Sequence, residues 1–331
     1  MEQSNQYIKQ FPQLMKGKKI LYVHGFGSSG QSGTVARIRQ VLPQATVIAP
    51  DLPIQPQEAM TLLNKVCLEQ QPDLIIGTSM GGMYAEMLYG YDRILINPAL
   101  QMGDTMKDHG LTGAQHFFNP RADGQQDFIV TKALVKEYKE MTEHCFSGTT
   151  PAEQQHVWGL FGDEDSLVDT YGLFSAHYRH AIRFHGEHRM NDRSFMHAVM
   201  PVVRWIDDRQ EGRERPIVYI ATNTLADKWG KPQSSCQKTI RTLLETYQLF
   251  FVAPAPDNPT AYSDTLAWLN DYVNVPAWGH TVFTNQKALL YGDYLIDADE
   301  TEGMGTLIQF GSDTFKTWDD IAGYFARLGG Q

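Results

Sequence analysis

The chain has 331 residues, 42% hydrophobic and 20% charged. These proportions suit a buried globular core, and at roughly 150 residues per domain the length points to two domains. A formal net charge of -10 without a basic stripe excludes a protein that tracks nucleic-acid phosphates. Cys67, Cys145 and Cys236, none in CxxC spacing, fit idle thiols in a reducing compartment. The N-terminus lacks a signal-type apolar run, and no stretch approaches the ~20 apolar residues of a membrane span. The expectation is a soluble, cytoplasmic protein with neither membrane nor nucleic acid as partner.

From Lys19 onward, short apolar runs alternate with amphipathic stretches, which predicts strand-helix-strand units around a parallel sheet, an α/β fold. Ile20–Val23, Val47–Ala49, Leu74–Ile76 and Ile94–Ile96 read as strands covered on both faces, with helices at Thr34–Leu42 and Pro56–Glu69 between them. The rhythm breaks over residues 101–155, a cap-like insertion rich in turn residues with one helix expected around Phe128–Thr142. It resumes with strands at Val157–Phe161 and Ala181–Phe184 and a helix over Arg193–Ile206. The charged stretch Asp207–Arg215 reads as a linker, which separates a domain at 1–207 from one at 216–331, with 208–215 between. The second domain alternates again. Strands are expected at Ile217–Ala221, Leu249–Ala253, Thr281–Phe283, Tyr294–Ile296 and Thr306–Phe310, and helices at Ser263–Val273 and from Thr317.

A serine hydroxyl becomes a nucleophile when a turn exposes it and a base takes its proton. Gly77-Thr78-Ser79-Met80-Gly81 stands between a predicted strand and a helical run, the context of a nucleophile elbow. An acid and then a histidine should follow in the chain. Asp165, in Gly162-Asp163-Glu164-Asp165-Ser166-Leu167-Val168, follows a strand, with Asp163 and Asp169 as alternatives. His188, in Gly186-Glu187-His188, follows the next strand, with His185 and His197 as alternatives. Backbone N–H groups of Met80 and of Phe26, the latter in His24-Gly25-Phe26-Gly27-Ser28-Ser29, would face a developing oxyanion. Together these imply hydrolysis of a carboxylic ester through an acyl-enzyme.

Gly25, Gly27 and Gly30 also form a GxGxxG after a strand, with Asp51 about 20 residues on, as in a dinucleotide-binding βαβ unit of an NAD(P)-dependent oxidoreductase. That alternative leaves Ser79, Asp165 and His188 without a role. A third alternative is a non-catalytic binding or scaffold protein.

Ile20-Leu21-Tyr22-Val23-His24-Gly25-Phe26 with Ser28-Ser29, then Ala49-Pro50-Asp51-Leu52-Pro53, Gly77-Thr78-Ser79-Met80-Gly81-Gly82-Met83-Tyr84-Ala85 and Asn97-Pro98-Ala99 resemble the small bacterial YqiA/YcfP-like esterases over about residues 19–207. The resemblance implies an α/β-hydrolase fold acting on acyl esters or thioesters. The acid turn here is longer than that family's, and the histidine lies in Gly186-Glu187-His188-Arg189 rather than a Gly-Asn-His turn.

In the second domain, Thr224-Leu225-Ala226-Asp227, Ser263-Asp264-Thr265-Leu266-Ala267-Trp268-Leu269, Lys287-Ala288-Leu289-Leu290-Tyr291-Gly292-Asp293 and Phe310-Gly311-Ser312 resemble the deoxyribonucleotidase branch of the haloacid dehalogenase superfamily, a Rossmann-like α/β fold. That chemistry needs two aspartates, one nucleophilic, that hold Mg²⁺. Their places fall on Ile220 and Thr222, with Asn223 for the glycine after them, Ala253-Pro254 at the phosphate-binding hydroxyl, Thr265 for the lysine and Ala298 beside the surviving Asp297. The resemblance therefore implies a domain without catalysis, metal or cofactor, serving structure, substrate capping or homo-oligomer formation, with retained nucleotide binding without turnover as the alternative.

Overall fold

The computed structural model describes residues 11–327 except 185, 227–229, 231–232, 274–276, 278 and 303–304. The chain divides into two compact units, Met1–Asp207 and Asp208–Gln331.

The first unit is built on six parallel strands in the order β2-β1-β3-β4-β7-β8: β1 Lys19–Val23, β2 Thr46–Ile48, β3 Leu74–Thr78, β4 Arg93–Ile96, β7 Val157–Gly162 and β8 His180–Phe184. Period-two alternation sorts their side chains onto two faces. Ile20, Tyr22, Leu74, Ile76, Ile94 and Ile96 pack with Val35 and Ile38 of helix α1 (Gly33–Val41) and with Val199, Val203 and Ile206 near the unit's end. Leu21, Val23, Ile75 and Leu95 face the other way, onto Ala59 and Leu63 of α2 (Pro56–Gln70) and Met83 and Tyr84 of α3 (Met80–Glu86). Both faces are covered, so the strands read as near-continuous apolar runs. This is an α/β-hydrolase architecture, with every strand's carboxyl end on the same edge.

The insertion after β4 carries α4 (Met102–Asp108), an antiparallel hairpin of β5 (Gly113–His116) and β6 (Asp127–Val130), and α5 (Lys132–Thr142). The helix expected from Phe128 is corrected here: Phe128 and Val130 are buried while Ile129 is 69% exposed, a strand pattern. Thr131 then caps α5 by accepting the Leu134 N–H at 3.1 Å. A short α6 (Tyr171–Ser175) joins β7 to β8. After β8, α7 (Asp192–Ser194) passes through a π turn, Phe195–Val199, into α8 (Met200–Gln210). The segment read as a linker is therefore partly helical, and Asp208 within it pairs with Arg213 at 3.0 Å and with Arg215.

The second unit has five parallel strands in the order β11-β10-β9-β12-β13: β9 Ile217–Ala221, β10 Gln248–Ala253, β11 Thr281–Phe283, β12 Tyr294–Asp297 and β13 Thr306–Gln309. Helices α9 (Cys236–Leu244), α10 (Pro259–Val273) and α11 (Trp318–Arg327) accompany them. The chain runs outward from β9 in one direction and returns to its other side. The topological switch point, where open α/β sheets hold ligands, thus lies between the carboxyl ends of β9 and β12. Among the described residues, no helix is long and apolar enough to cross a membrane.

Candidate active site

Ser79 occupies the single residue between β3 and α3, with φ 54° and ψ -120°, a region costly to a side-chain-bearing residue. Its neighbours explain how the turn closes. A Cβ on Gly77 would strike the Gly81 carbonyl, and one on Gly81 would strike the Val23 carbonyl. The Ser79 N–H donates to the Ile96 carbonyl at 2.9 Å, and the Ser79 carbonyl accepts from Gly82 and Ala99, each at 2.9 Å. The backbone is held from both sides, which leaves the hydroxyl standing clear of the sheet edge.

The described loops after β7 and β8 bring the other two groups to it. His188 Nε2 lies 3.0 Å from Ser79 Oγ, and His188 Nδ1 is 2.7 Å from Asp165 Oδ2. The carboxylate accepts, so the proton sits on Nδ1 and Nε2 is left to accept from the serine. Asp165, its side chain 2% exposed, receives two further bonds at Oδ1, from the Leu167 N–H at 2.8 Å and the Val168 N–H at 3.0 Å. Burial pushes the Asp165 carboxyl up, but the bonds from His188 and the two amides outweigh it and hold it below its ordinary value. Of the alternative acids, Asp163 accepts the Gly186 N–H at 3.0 Å and Asp169 is exposed. His185 and the side chain of His197 lie outside the described residues.

The loop after β1 lies directly on the serine: a Cβ on Gly25 would stand 3.3 Å from both Ser79 Cβ and the Thr78 carbonyl. Among the described residues, neither the Phe26 nor the Met80 N–H donates to another backbone group. His24 fixes the loop. Its Nδ1 bonds the Gly25 carbonyl at 2.9 Å and its Nε2 accepts the Leu52 N–H at 3.0 Å. Burial lowers its affinity for a proton, which keeps it in that neutral tautomer. The Phe26 ring meets Phe128 and Tyr138 edge-on at 5.3 and 6.2 Å. Over the outer side of the loop, the 65% exposed Phe118 abuts Gly27, and the Arg189 guanidinium stands 4.9 Å from its ring centre. A cleft of about 790 Å³ opens beside the aromatic wall, lined by Pro53, Ile54, Arg121, Phe128 and Ile129 among others. Ser79 and His188 are not among its lining residues.

The glycines of the GxGxxG are otherwise employed. Asp51 Oδ1 accepts the Gly30 N–H at 2.8 Å and Oδ2 accepts the Ala122 N–H at 2.7 Å. Ser28 and Ser29 bond Asn119 and the Pro120 carbonyl. The acidic residue that would hold a ribose thus ties two loops together instead.

A residue to which the sequence assigns no function stands behind the site. Asn97 Nδ2 donates to the Glu187 and His188 carbonyls, each at 3.1 Å, and its Oδ1 accepts the Gly162 N–H at 2.7 Å. Its position after a strand, before Pro98 and opposite Ser79 in the sheet edge, was the available signal.

In the second unit the switch point is filled by its own side chains. Ile220 is fully buried in β9, in register with Phe251 and Ile296. Lys287 Nζ donates to Asp297 at 2.9 and 2.7 Å and to Asp299 at 3.1 Å, while Asn223 and Thr301 add bonds to Asp297 at 3.0 and 2.9 Å. The expectation that Thr265 replaces the lysine is corrected. Thr265 bonds the Ala261 carbonyl within α10, and the lysine beside Asp297 comes from the turn just before β12. Asp227 lies outside the described residues. Among the described residues, no cluster of three or more His, Cys, Asp or Glu side chains is placed to hold a metal ion.

Comparison with known proteins returns both resemblances. A provisionally named 5'(3')-deoxyribonucleotidase of Vibrio phage KVP40 is 29% identical over 99 residues, 28% of this chain and 58% of the phage protein. One from Staphylococcus aureus is 30% identical over 107 residues, 29% of this chain and 59% of that protein. The chain thus spans a little over half the length of these curated relatives. Among solved structures, Est1E from Butyrivibrio proteoclasticus aligns with 60% of this chain and 88% of its own at 17% identity and a TM-score of 0.40. The model of the uncharacterised protein family UPF0227 matches residues 19–204, a span that is more than half the chain and contains Ser79, Asp165 and His188, so the chain belongs to that family.

Proposed function

We propose that the protein is a serine hydrolase of carboxylic esters or thioesters. The observation that carries this reading is the hydrogen-bonded line Ser79 Oγ, His188, Asp165, with links of 3.0 and 2.7 Å. In the proposed reaction His188 Nε2 takes the serine proton as Oγ attacks the acyl carbon. The Phe26 and Met80 N–H groups receive the oxyanion, a contribution worth about 10²–10³ in rate per donor. His188 then returns the proton to the departing alcohol or thiol, and a water deprotonated by the same nitrogen releases the acid. Asp165 holds the tautomer and offsets the imidazolium charge. Solvent-exposed Phe118 and Arg189 at the loop's outer side would meet the part of the substrate that projects from the serine.

For the second unit we propose a non-catalytic role, structural or in assembly of copies. An isoleucine side chain can neither attack phosphorus nor ligate magnesium, and the ammonium of Lys287 neutralises the carboxylates where a cation would sit. The dinucleotide-binding reading has no observation in its favour, since Asp51 is engaged with the Gly30 and Ala122 amides and Gly25 and Gly27 are packed against Ser79 and Phe118.

The test is turnover of short-chain aryl esters and acyl-CoA, together with labelling by a fluorophosphonate located by mass spectrometry. Label on Ser79, and its loss with turnover in Ser79→Ala, is the expected result. A chain inert to both substrates and to the probe would sink the proposal.

A further inference from the structure

Asn97 is 2% exposed and follows β4 with a backbone φ of 43°, in the left-handed region that asparagine tolerates better than most residues. From there its carboxamide reaches two loops at once. Its donor end takes the carbonyls of Glu187 and of His188 itself, and its acceptor end takes the amide of Gly162, where the strand hands over to the acid loop. Its own N–H is bound to the Leu160 carbonyl at 2.8 Å. A carboxamide alone among the short side chains supplies donors and an acceptor together. A carboxylate would set negative oxygens against two carbonyls, and glutamine would be a carbon too long.

The His188 backbone needs that anchor. The acid loop is latched to residues 184–186 through Asp163 N–H to the Phe184 carbonyl and Glu164 N–H to the Gly186 carbonyl, each 3.0 Å. Those bonds stop short of residues 187 and 188, whose carbonyls turn inward to Asn97. Ring placement within a few tenths of an ångström decides whether Nε2 meets Oγ, and loose support of a catalytic group costs rate even when the group is present.

We infer that Asn97 is the positioning residue of this site, a clamp that sets the distance between His188 and Asp165 and the approach of His188 to Ser79 without touching substrate. The inference rests on the hydrolase reading for its kinetic consequence, although the geometric one stands by itself. Met15, Gln71, Phe146 and Ser235 also take positive φ, so the left-handed backbone alone does not call for an asparagine here.

The experiment compares the full chain with Asn97→Gly, which removes the amide while easing the backbone, and with isosteric Asn97→Asp, which keeps the volume. One readout is the downfield proton resonance of the His188 Nδ1–H to Asp165 bond, assigned by its loss in His188→Gln; the other is kcat and KM on an aryl ester. The expected result for both folded variants is a broadened or lost resonance, kcat lowered at least tenfold, and KM within about twofold of the parent. A resonance and kcat unchanged in a folded variant overturns the clamp while leaving Ser79 labelling, and hence the hydrolase reading, intact. A resonance lost on substitution, in a chain that turns over no ester at all, upholds the clamp and refutes the hydrolase reading instead. Should Asn97→Gly fail to fold, Asn97→Asp carries the same comparison.

Discussion

Asp165 and His188 are joined by a 2.7 Å hydrogen bond across 23 residues of sequence, and the carboxylate end of that bond also gathers the Leu167 and Val168 amides. Burial opposes ionisation of Asp165, yet these donors hold its carboxyl below the ordinary 3.8. A group depressed in the folded state stabilises the fold above its unfolded value and loses that contribution as pH falls through the folded one. Asp165→Asn should therefore unfold more readily near neutrality and show a shallower loss of stability below about pH 4. Its effect on rate should be far larger, on the order of 10⁴ in kcat, because the amide can donate to Nδ1 and favours the wrong tautomer. Urea titrations at pH 7 and pH 3 check the first, ester turnover the second; a variant within tenfold of the parent rate would assign the acid elsewhere.

Ser79 pays in backbone conformation for its exposure. At φ 54° and ψ -120°, any Cβ is strained by about 1–3 kcal/mol. Ser79→Ala and Ser79→Gly both remove the hydroxyl and its bond to His188, so their difference isolates the strain. The glycine variant should be more stable than the alanine variant by about 1 kcal/mol, after its greater unfolded-chain entropy is subtracted, and both should resist the fluorophosphonate. A glycine variant less stable than the alanine variant by about 0.5–1 kcal/mol, the full entropy difference, would mean that the turn is not strained.

What could be read from the sequence follows from how local the cause is. Ser79 is legible because the turn is made within five residues, Gly77 to Gly81, whose small size the packing demands. Asp165 is less so. Three aspartates stand in one loop, and which of them meets His188 depends on how that loop folds back; Asp165 does so while accepting the Leu167 and Val168 amides. Asn97 had no legible role because its partners lie 65, 90 and 91 residues away. The β6 strand is not separable from the following helix by pattern, because Phe128-Ile129-Val130 is apolar enough for either, and Thr131, a capping residue, marks the boundary. The role of Lys287 is hidden for a related reason: a residue on a turn before a strand has no periodicity to reveal that it meets Asp297.

The second unit carries an acid-sensitive group unconnected with the Ser79 site. His280 bonds the Leu249 carbonyl at 3.1 Å, and burial pushes its imidazole down from 6.5 to about 4. Between those values the unfolded chain binds a proton that the folded unit refuses, so stability falls as pH drops from 6.5 towards 4. The loss is bounded at about 3 kcal/mol for this one group. His280→Gln should flatten that decline. Pulsed hydrogen exchange of β9 and β10 amides in urea, repeated across the window, reads it directly; a slope unchanged by the substitution would place the acid sensitivity in other groups.

Lys287 should be a stability residue rather than a remnant of catalysis. Asp297 is fully buried, and although burial opposes charge on both partners, their mutual bonds hold the carboxyl below and the ammonium above their ordinary values. The pair is therefore ionised across the whole neutral range. Removing the cation leaves a buried carboxylate with only the Asn223, Thr301 and Asp299 donors, a change that costs about 3 kcal/mol in comparable pairs. Lys287→Met should lower the stability of the second unit by that order, and adding Asp297→Asn should recover part of it, since the uncompensated charge is then gone. Ester turnover by the first unit's groups should be unaffected in the soluble fraction. For the parent chain, Mg²⁺ with deoxyribonucleoside monophosphates should yield no phosphate. Magnesium-dependent release that is abolished by Lys287→Met would reverse this reading and return the second unit to catalysis.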